Sequence, residues 1–238
     1  MSARFEEVDW QDTPIGEISL RRRHDPALDT DVFEVKLGDE FLMSSLFTVA
    51  EEELARLGLA ALDRDRLDVA VGGLGLGCTA RAALADPRVT SLVVVDALAA
   101  VIDWHERELV AGAAELVRDP RTRLVHGDFF AMVAGGQGLD PAAPGRRFDV
   151  VLLDVDHTPR HVLHPSHAPF YTAAGLARMR ALLSDDGVFA LWSDDPPDEE
   201  FGEVLGEVFA GWQAHVVSFA NPYGGEDRSN TVYVATVR

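Results

Sequence analysis

The chain has 238 residues, enough for one large α/β domain with a small appendage. Its 21 basic and 40 acidic residues give a net charge of −19, which disfavours nucleic acid as a partner and suits a small cationic substrate. No apolar run approaches the roughly 20 residues of a membrane span, so we expect no membrane partner. The first residues lack the pattern of a signal peptide, and the single cysteine, Cys78, excludes an intrachain disulfide. We therefore expect a cytoplasmic protein.

The first part of the chain is rich in β-forming residues. "ISLRRRH" (18–24), "DVFEVKL" (31–37) and "EFLMSSLF" (40–47) read as strands, and "LGDE" (37–40) reads as a hairpin turn between the last two. We expect a small β-hairpin appendage over residues 1–49 and a second, larger domain over residues 50–238. "VAEEELARLGLAALDRD" (49–65) is predicted to be a helix, because its apolar residues recur at helical spacing.

From residue 67 onward, apolar strands alternate with helices. The predicted strands are "LDVAVGG", "SLVVVD", "TRLVHGD", "FDVVLLD" and "DGVFALWS", followed by "AHVVSFA" and "NTVYVATV" without a helix between them. Single helices are predicted for residues 97–117 and 169–184. This alternation indicates an α/β fold, a Rossmann-like doubly wound domain whose seven-stranded sheet is mostly parallel with an antiparallel last strand.

In such a sheet, ligands bind beyond the carboxyl ends of the strands. The first strand leads into a glycine loop, "GGLGLG", in which Gly72, Gly73, Gly75 and Gly77 allow close approach of a ligand. Their G-x-G-x-G spacing differs from the G-x-G-x-x-G of dinucleotide sites, and a tight strand-to-helix turn is the alternative interpretation. The second strand ends at Asp96, beside Ala97, where a carboxylate can accept hydrogen bonds from ribose hydroxyls.

The third and fourth strands also end in aspartates. Asp128 can accept a hydrogen bond from an exocyclic amine, with Phe129 packed on a flat base, or it can cap the helix that follows. Asp154 comes after the fourth strand, across from the glycine loop, where a carboxylate can orient an amine and take its proton. Together these strand ends predict a nucleoside site with a base beside it.

The motifs "VAVGGLGLGCTARAAL", "LVVVDA", "RLVHGDFF" and "FDVVLLDVDHTP…PFY" resemble those of the spermidine synthases, within the class I S-adenosylmethionine-dependent methyltransferase fold. That family moves an aminopropyl group from decarboxylated S-adenosylmethionine to putrescine and releases methylthioadenosine. The resemblance implies that Asp96 binds ribose, Asp128 binds adenine and Asp154 activates the attacking amine. It also implies a homo-oligomer, a dimer or larger.

The sequence departs from the family near the aminopropyl end of the donor and at the acceptor side. Leu74 and Gly75 replace the third glycine and the aspartate of the family's G-G-G-D-G-G, its D-S-S-D becomes residues 154–157, "DVDH", and its N-terminal Tyr-Gln pair is missing. We expect a transferase that uses S-adenosylmethionine or its decarboxylated form and moves an aminopropyl or methyl group to a small acceptor, an amine by preference. Asp156, His157 and Tyr171 are the predicted acceptor-binding residues. A nucleoside-binding module without catalysis is the alternative, and a nicotinamide-dependent dehydrogenase is disfavoured by the glycine spacing.

Four histidines follow Asp154, at positions 157, 161, 164 and 167, and their spacing of 4, 3 and 3 would align them on one helix face. Prolines 159, 165 and 169 interrupt such a helix, so no metal site is predicted and a lid over the pocket is favoured. For His161 and His164 a solvated loop is an equal alternative. Cys78 is expected to be a small packing residue. Asp194 and Asp195 either face the pocket or begin an acidic helix.

Overall fold

The structure is a computed structural model that describes residues 5–13 and 16–238. The predicted appendage is a four-stranded antiparallel sheet, and residues 1–4 and 14–15 of the predicted segment lie outside the described part. Its strands, each paired with the next, are β1 (Phe5–Thr13), β2 (Gly16–Asp25), β3 (Thr30–Leu37) and β4 (Glu40–Ser44). The sequence did not predict β1, because this edge strand is polar and none of its residues is fully buried.

A seven-stranded sheet forms the rest of the core. Its strands are β5 (Leu67–Gly72), β6 (Val89–Asp96), β7 (Thr122–His126), β8 (Phe148–Leu153), β9 (Leu183–Ser193), β10 (Gly211–Phe219) and β11 (Arg228–Thr236), in the order β10-β11-β9-β8-β5-β6-β7. All pairs from β7 to β9 are parallel, and β11 is antiparallel to both of its neighbours. The predicted α/β class, strand number and antiparallel last strand are therefore confirmed.

Helices cover both faces of this sheet. They are α1 (Val49–Ala60), α2 (Cys78–Ala85), α3 (Ala99–Glu106), α4 (Ala113–Val117), α5 (Phe129–Gly135), α6 (Ala173–Ala181) and α7 (Glu199–Val208), with a 3₁₀ helix over Pro165–Tyr171. Alternate residues of β5 enter the two cores, since Val69 and Val71 pack on one side and Ala70 on the other. The core that contains Val69 also includes Ile18 and Leu20 of β2, so the division into two domains at residue 49 stays a prediction.

Three predicted helices differ from the structure. The helix predicted over residues 49–65 ends at Ala60. The single helix over residues 97–117 is wrong, because Glu108 and Gly112 have positive φ angles of 57° and 78° and separate α3 from α4. The helix predicted from residue 169 begins instead at Ala173, where the Thr172 hydroxyl accepts a hydrogen bond from the Gly175 amide. Within residues 5–13 and 16–238, the helices all lack either the length or the apolar character for a membrane crossing.

Candidate active site

A cavity of about 580 Å³ lies at the carboxyl ends of β5, β6 and β8. Val35 and Leu37 of β3 and Leu42 and Met43 of β4 form part of its wall. The appendage therefore supplies an apolar part of the cavity wall. Its alternating strand pattern did not predict that it would contribute to the site. The predicted crevice of the parallel sheet and the small N-terminal sheet enclose one shared cavity.

The glycine loop after β5 forms part of the floor, through Gly73 and Gly75. Gly73 has a φ angle of 95°, and a Cβ at this position would lie 2.0 Å from the backbone oxygen of Asp154. At Gly75, with a φ angle of 47°, a Cβ would lie 2.5 Å from Met43 Sδ. Gly73 is therefore required by its backbone angle and by its close contact with backbone, whereas Gly75 is favoured by its backbone angle and a Cβ there would displace the Met43 side chain. Gly72 and Gly77, predicted as binding residues with them, do not line the cavity; they are packed against Phe129 and His105.

Asp96 lies where the sequence predicted it, at the end of β6 and in the cavity wall with Ala97. Its Oδ2 accepts a hydrogen bond of 2.9 Å from the Leu74 amide, and its Oδ1 accepts one of 2.8 Å from the Leu98 amide. Burial raises the pKa of Asp96, and these amide contacts oppose that shift. The carboxylate thus holds the glycine loop and the start of α3 in place, and each oxygen keeps further lone pairs for a ligand.

Asp128 and Phe129 also line the cavity, at the start of α5. The Asp128 carboxylate accepts a hydrogen bond of 3.0 Å from the Ala131 amide, so the alternative role of helix cap is confirmed. Phe129 packs edge to face with Phe130, whose ring stacks on His167 at a centroid distance of 3.9 Å. The cavity therefore has an aromatic side next to a carboxylate.

Asp154 directly follows β8 and lines the same cavity. Its backbone amide donates a hydrogen bond of 2.8 Å to Gly72, and its Oδ2 accepts one of 2.7 Å from the Thr79 hydroxyl at the start of α2. Burial raises the pKa of Asp154, and the Thr79 hydrogen bond partly opposes this. A carboxylate that holds its proton more readily than usual can serve as a general base near neutral pH.

Glu51 is a cavity residue that the sequence analysis missed. It lies in the first turn of α1 and is only 9% exposed. Burial and the nearby Asp154 charge raise the pKa of Glu51. Three successive glutamates read as an ordinary acidic helix start, but Glu51 shares the buried stripe of Leu54, Ala55 and Gly58 at helical spacing, which was the available signal.

The structure places Asp156 and Tyr171 beneath the cavity wall, outside its lining. Asp156 accepts hydrogen bonds of 2.8 Å from the Leu163 amide, from the His167 ring and from the Tyr171 hydroxyl. Burial and the Asp156 charge raise the pKa of Tyr171, which keeps its hydroxyl protonated as a donor. Asp156 thus stabilises the loop after β8. Its carboxylate does not line the cavity, so the observed geometry does not include the predicted contact between Asp156 and an acceptor.

Three of the four histidines that follow Asp154 line the cavity, and the fourth does not. His157, His164 and His167 line the cavity, and His157 Nε2 lies 2.9 Å from Glu40 Oε1 of β4. His161 is exposed and does not line it. The loop therefore covers one side of the cavity, as a lid would. Across residues 5–13 and 16–238, the side chains of His, Cys, Asp and Glu do not gather into a group of three or more that could hold a metal ion.

Three other sequence candidates have clear positions. Cys78 lines the cavity, and burial raises the pKa of its thiol to about 11, which matches a packing residue. Asp194 accepts a hydrogen bond of 2.7 Å from the Asn230 side chain, and Asp195 accepts one from Thr231 through its backbone oxygen. Neither aspartate lines the cavity.

The charge of the cavity wall is one-sided. Within the described part of the chain, its lining includes no lysine or arginine. It includes four carboxyl groups, those of Glu51, Asp96, Asp128 and Asp154. Such a wall attracts a positively charged ligand and offers no cationic partner to a ligand carboxylate.

No protein-family model and no curated protein sequence matches the chain. Solved structures do match it. The spermidine synthase from Thermotoga maritima has a TM-score of 0.73 and 18% identity over 98% of this chain and 73% of that one. A spermidine synthase in complex with the transition state analogue AdoDATO has a TM-score of 0.74 and 17% identity over 98% of this chain and 74% of that one. The chain therefore has a fold similar to that of these spermidine synthases.

Proposed function

We propose that this protein is a polyamine synthase-type transferase that moves an aminopropyl group from decarboxylated S-adenosylmethionine to a small amine. The observation that carries this proposal is the meeting of Asp96, Asp128 and Asp154 in one cavity, whose wall has no lysine or arginine among residues 5–13 and 16–238. The structural similarity to a spermidine synthase that binds a transition state analogue supports the same class of reaction. The cytoplasmic location and the homo-oligomeric state stay predictions from the sequence.

The charge of the cavity favours the decarboxylated donor over S-adenosylmethionine itself. Decarboxylation removes the donor's one negative group and leaves a sulfonium and an ammonium, both positive. A wall with four carboxyl groups stabilises both charges, whereas the carboxylate of S-adenosylmethionine would meet like charges and no cationic side chain. Aminopropyl transfer is therefore the better supported of the two predicted reactions.

The proposed roles follow from the positions in the cavity. Asp96 and the Gly73–Gly75 loop hold the ribose side, and Asp128 with Phe129 holds the base. The acceptor nitrogen forms a bond to the carbon beside the sulfonium, the carbon–sulfur bond breaks, and its electron pair stays on sulfur to give methylthioadenosine. Asp154 takes the proton that the nitrogen releases. His157 lies at the acceptor side, while Asp156 and Tyr171 position the loop that carries it.

The test replaces the proposed base, Asp154→Asn, with Asp195→Asn as a control outside the cavity. Products from decarboxylated S-adenosylmethionine and a series of amines are measured by mass spectrometry, and methylthioadenosine binding by calorimetry. We expect Asp154→Asn to lower turnover at least about 100-fold and to keep nucleoside affinity within about threefold, because the base acts on the acceptor. Unchanged turnover in Asp154→Asn contradicts the assignment.

Two other results lead to different conclusions. If the wild type binds methylthioadenosine and forms no product with any amine, the chain is a nucleoside-binding module. Binding of NAD alone contradicts both interpretations.

A further inference from the structure

Glu51 is the one cavity carboxyl group to which the proposed transfer gives no role. Its side chain is 9% exposed and lines the cavity from α1. In the described part of the chain its carboxyl group has no ion pair, and the nearby charges of Asp154, Glu52 and Asp194 raise its pKa. A buried acid without a cationic partner is unfavourable, and a positive ligand group would relieve that cost.

The surroundings of Glu51 place it beside the reacting end of the site. Thr79 Oγ1 lies 3.3 Å from the backbone oxygen of Glu51 and 2.7 Å from Oδ2 of Asp154, so one threonine is in contact with both acidic residues. The charge of Asp154 also contributes to the raised pKa of Glu51. Glu51 therefore belongs to the side of the cavity where the base lies.

In the described part of the chain, the titratable groups with the largest electrostatic effect on Glu51 are acids, and the neighbouring thiol is neutral. They are Asp154 after β8, Asp194 after β9, Glu52 on α1 itself and the Cys78 thiol of α2. None of them can neutralise a second carboxylate at this position. Glu51 therefore becomes ionised more readily when a ligand brings a positive charge to this position.

We infer that Glu51 determines specificity by binding an ammonium group next to the reacting carbon. This inference rests on the proposed function for the chemistry of the ligand. Two sources share that chemistry: the ammonium of the donor's aminopropyl group, and the second ammonium of a diamine acceptor. Asp154 then takes the proton of the attacking nitrogen, while Glu51 holds a charge that does not react. The two acids divide the work between recognition and chemistry.

The experiment compares a charged ligand with a neutral one that shares the same nucleoside. Calorimetry measures the binding of decarboxylated S-adenosylmethionine and of methylthioadenosine to the wild type, to Glu51→Gln and to Glu52→Gln. The last variant is the matched control, because Glu52 is the exposed neighbour on the same helix. A second arm measures KM for a diamine and for a monoamine of similar length.

If the donor supplies the ammonium, Glu51→Gln weakens the charged ligand about 10- to 100-fold, as expected for a charge-assisted hydrogen bond, and leaves methylthioadenosine within about twofold. If the acceptor supplies it, donor affinity is unchanged and KM rises at least about tenfold for the diamine alone. In the donor case, binding to the wild type also releases protons, because a carboxyl group that is protonated in the free protein must ionise. Two buffers of different ionisation enthalpy detect this release, and Glu51→Gln abolishes it.

Other outcomes overturn the inference. Equal weakening of charged and neutral ligands shows a purely structural role, and unchanged affinities and KM values show no role. The two proposals fail separately. Absence of any transferase product, together with selective loss of the charged ligand in Glu51→Gln, contradicts the proposed transfer and supports the role of Glu51. Full activity in Glu51→Gln together with an inactive Asp154→Asn supports the proposed transfer and contradicts the role of Glu51. A wild type that binds neither nucleoside contradicts both.

Discussion

Removing the Asp156 carboxyl tests whether this residue supports the loop after β8 or contacts the acceptor. Its side chain is 0% exposed and accepts hydrogen bonds from Leu163, His167 and Tyr171. In Asp156→Ala all three donors lose their partner at once. Each buried donor that is left unsatisfied costs about 1–3 kcal/mol.

The three donors differ in their access to water, and this sets the magnitude. The Leu163 amide and the His167 ring belong to residues that border the cavity, where water can replace the lost partner, so about 1 kcal/mol each is appropriate. The Tyr171 hydroxyl is away from the cavity on a residue that is 7% exposed, so about 2 kcal/mol applies. Asp156→Ala should therefore lower the free energy of unfolding by about 4 kcal/mol, less any gain from no longer burying the carboxyl itself.

Urea unfolding, followed by circular dichroism, measures this change, with the exposed Asp195→Ala as the control. In Asp156→Asn the amide keeps the shape and loses one acceptor, so we expect a loss of about 1 kcal/mol. An unfolding free energy for Asp156→Ala within about 1 kcal/mol of the wild type would refute the supporting role. If Asp156→Asn instead keeps full stability and loses acceptor turnover, the acceptor contact predicted from the sequence is correct.

Three further predictions concern the cavity wall. Gly73→Ala should lower stability by more than about 3 kcal/mol and abolish nucleoside binding, because the added Cβ would lie 2.0 Å from the Asp154 backbone oxygen. The control in thermal unfolding is Gly145→Ala, because Gly145 has a φ angle of 77° but a Cβ there would have no atom within 4 Å, so this variant measures backbone strain alone. Cys78 should react slowly with iodoacetamide near neutral pH, because burial raises its pKa to about 11, and mass spectrometry should show faster labelling as pH rises and slower labelling with bound nucleoside. The raised pKa of Glu51 means that the folded state favours its protonated form. The resulting stabilisation is complete below the pKa of the unfolded state and is lost as pH rises through the pKa of the folded state. Urea unfolding between about pH 5 and about pH 9 should therefore show a smaller loss of stability in Glu51→Gln than in the wild type.

The fold could be predicted because its strongest signals are local. Continuous apolar strands separated by helices specify a parallel sheet, and such a sheet brings its carboxyl ends to one edge. Asp96 is the last residue of one of those strands, Asp154 directly follows another and Asp128 comes two residues after a third, so their meeting in one cavity follows from the strand assignment. The break between α3 and α4 was not predicted, because Glu108 adopts a positive φ angle that its residue type does not indicate.

The rest of the site depends on contacts between distant parts of the chain. Met43 of β4 lines the cavity, and Glu40 of the same strand contacts His157, which is 117 residues away along the chain. Asp156 is next but one to Asp154, yet its side chain points beneath the wall toward Tyr171. Sequence distance predicted a shared role for the two aspartates, and the direction of each side chain separates their roles.

The departure from the spermidine synthase pattern at the glycine loop has a structural counterpart. The loop lacks the acid that the family has there, and Gly75 is packed against Met43 with no space for a Cβ. A different carboxyl group, that of Glu51 on α1, lines the cavity near Asp154. A helix residue held within a buried stripe is more rigid than a loop residue, so this carboxyl group has a defined position. The sequence analysis indicated the loss of an acid near the aminopropyl end of the donor, and the structure has an acid from another part of the chain in the same cavity.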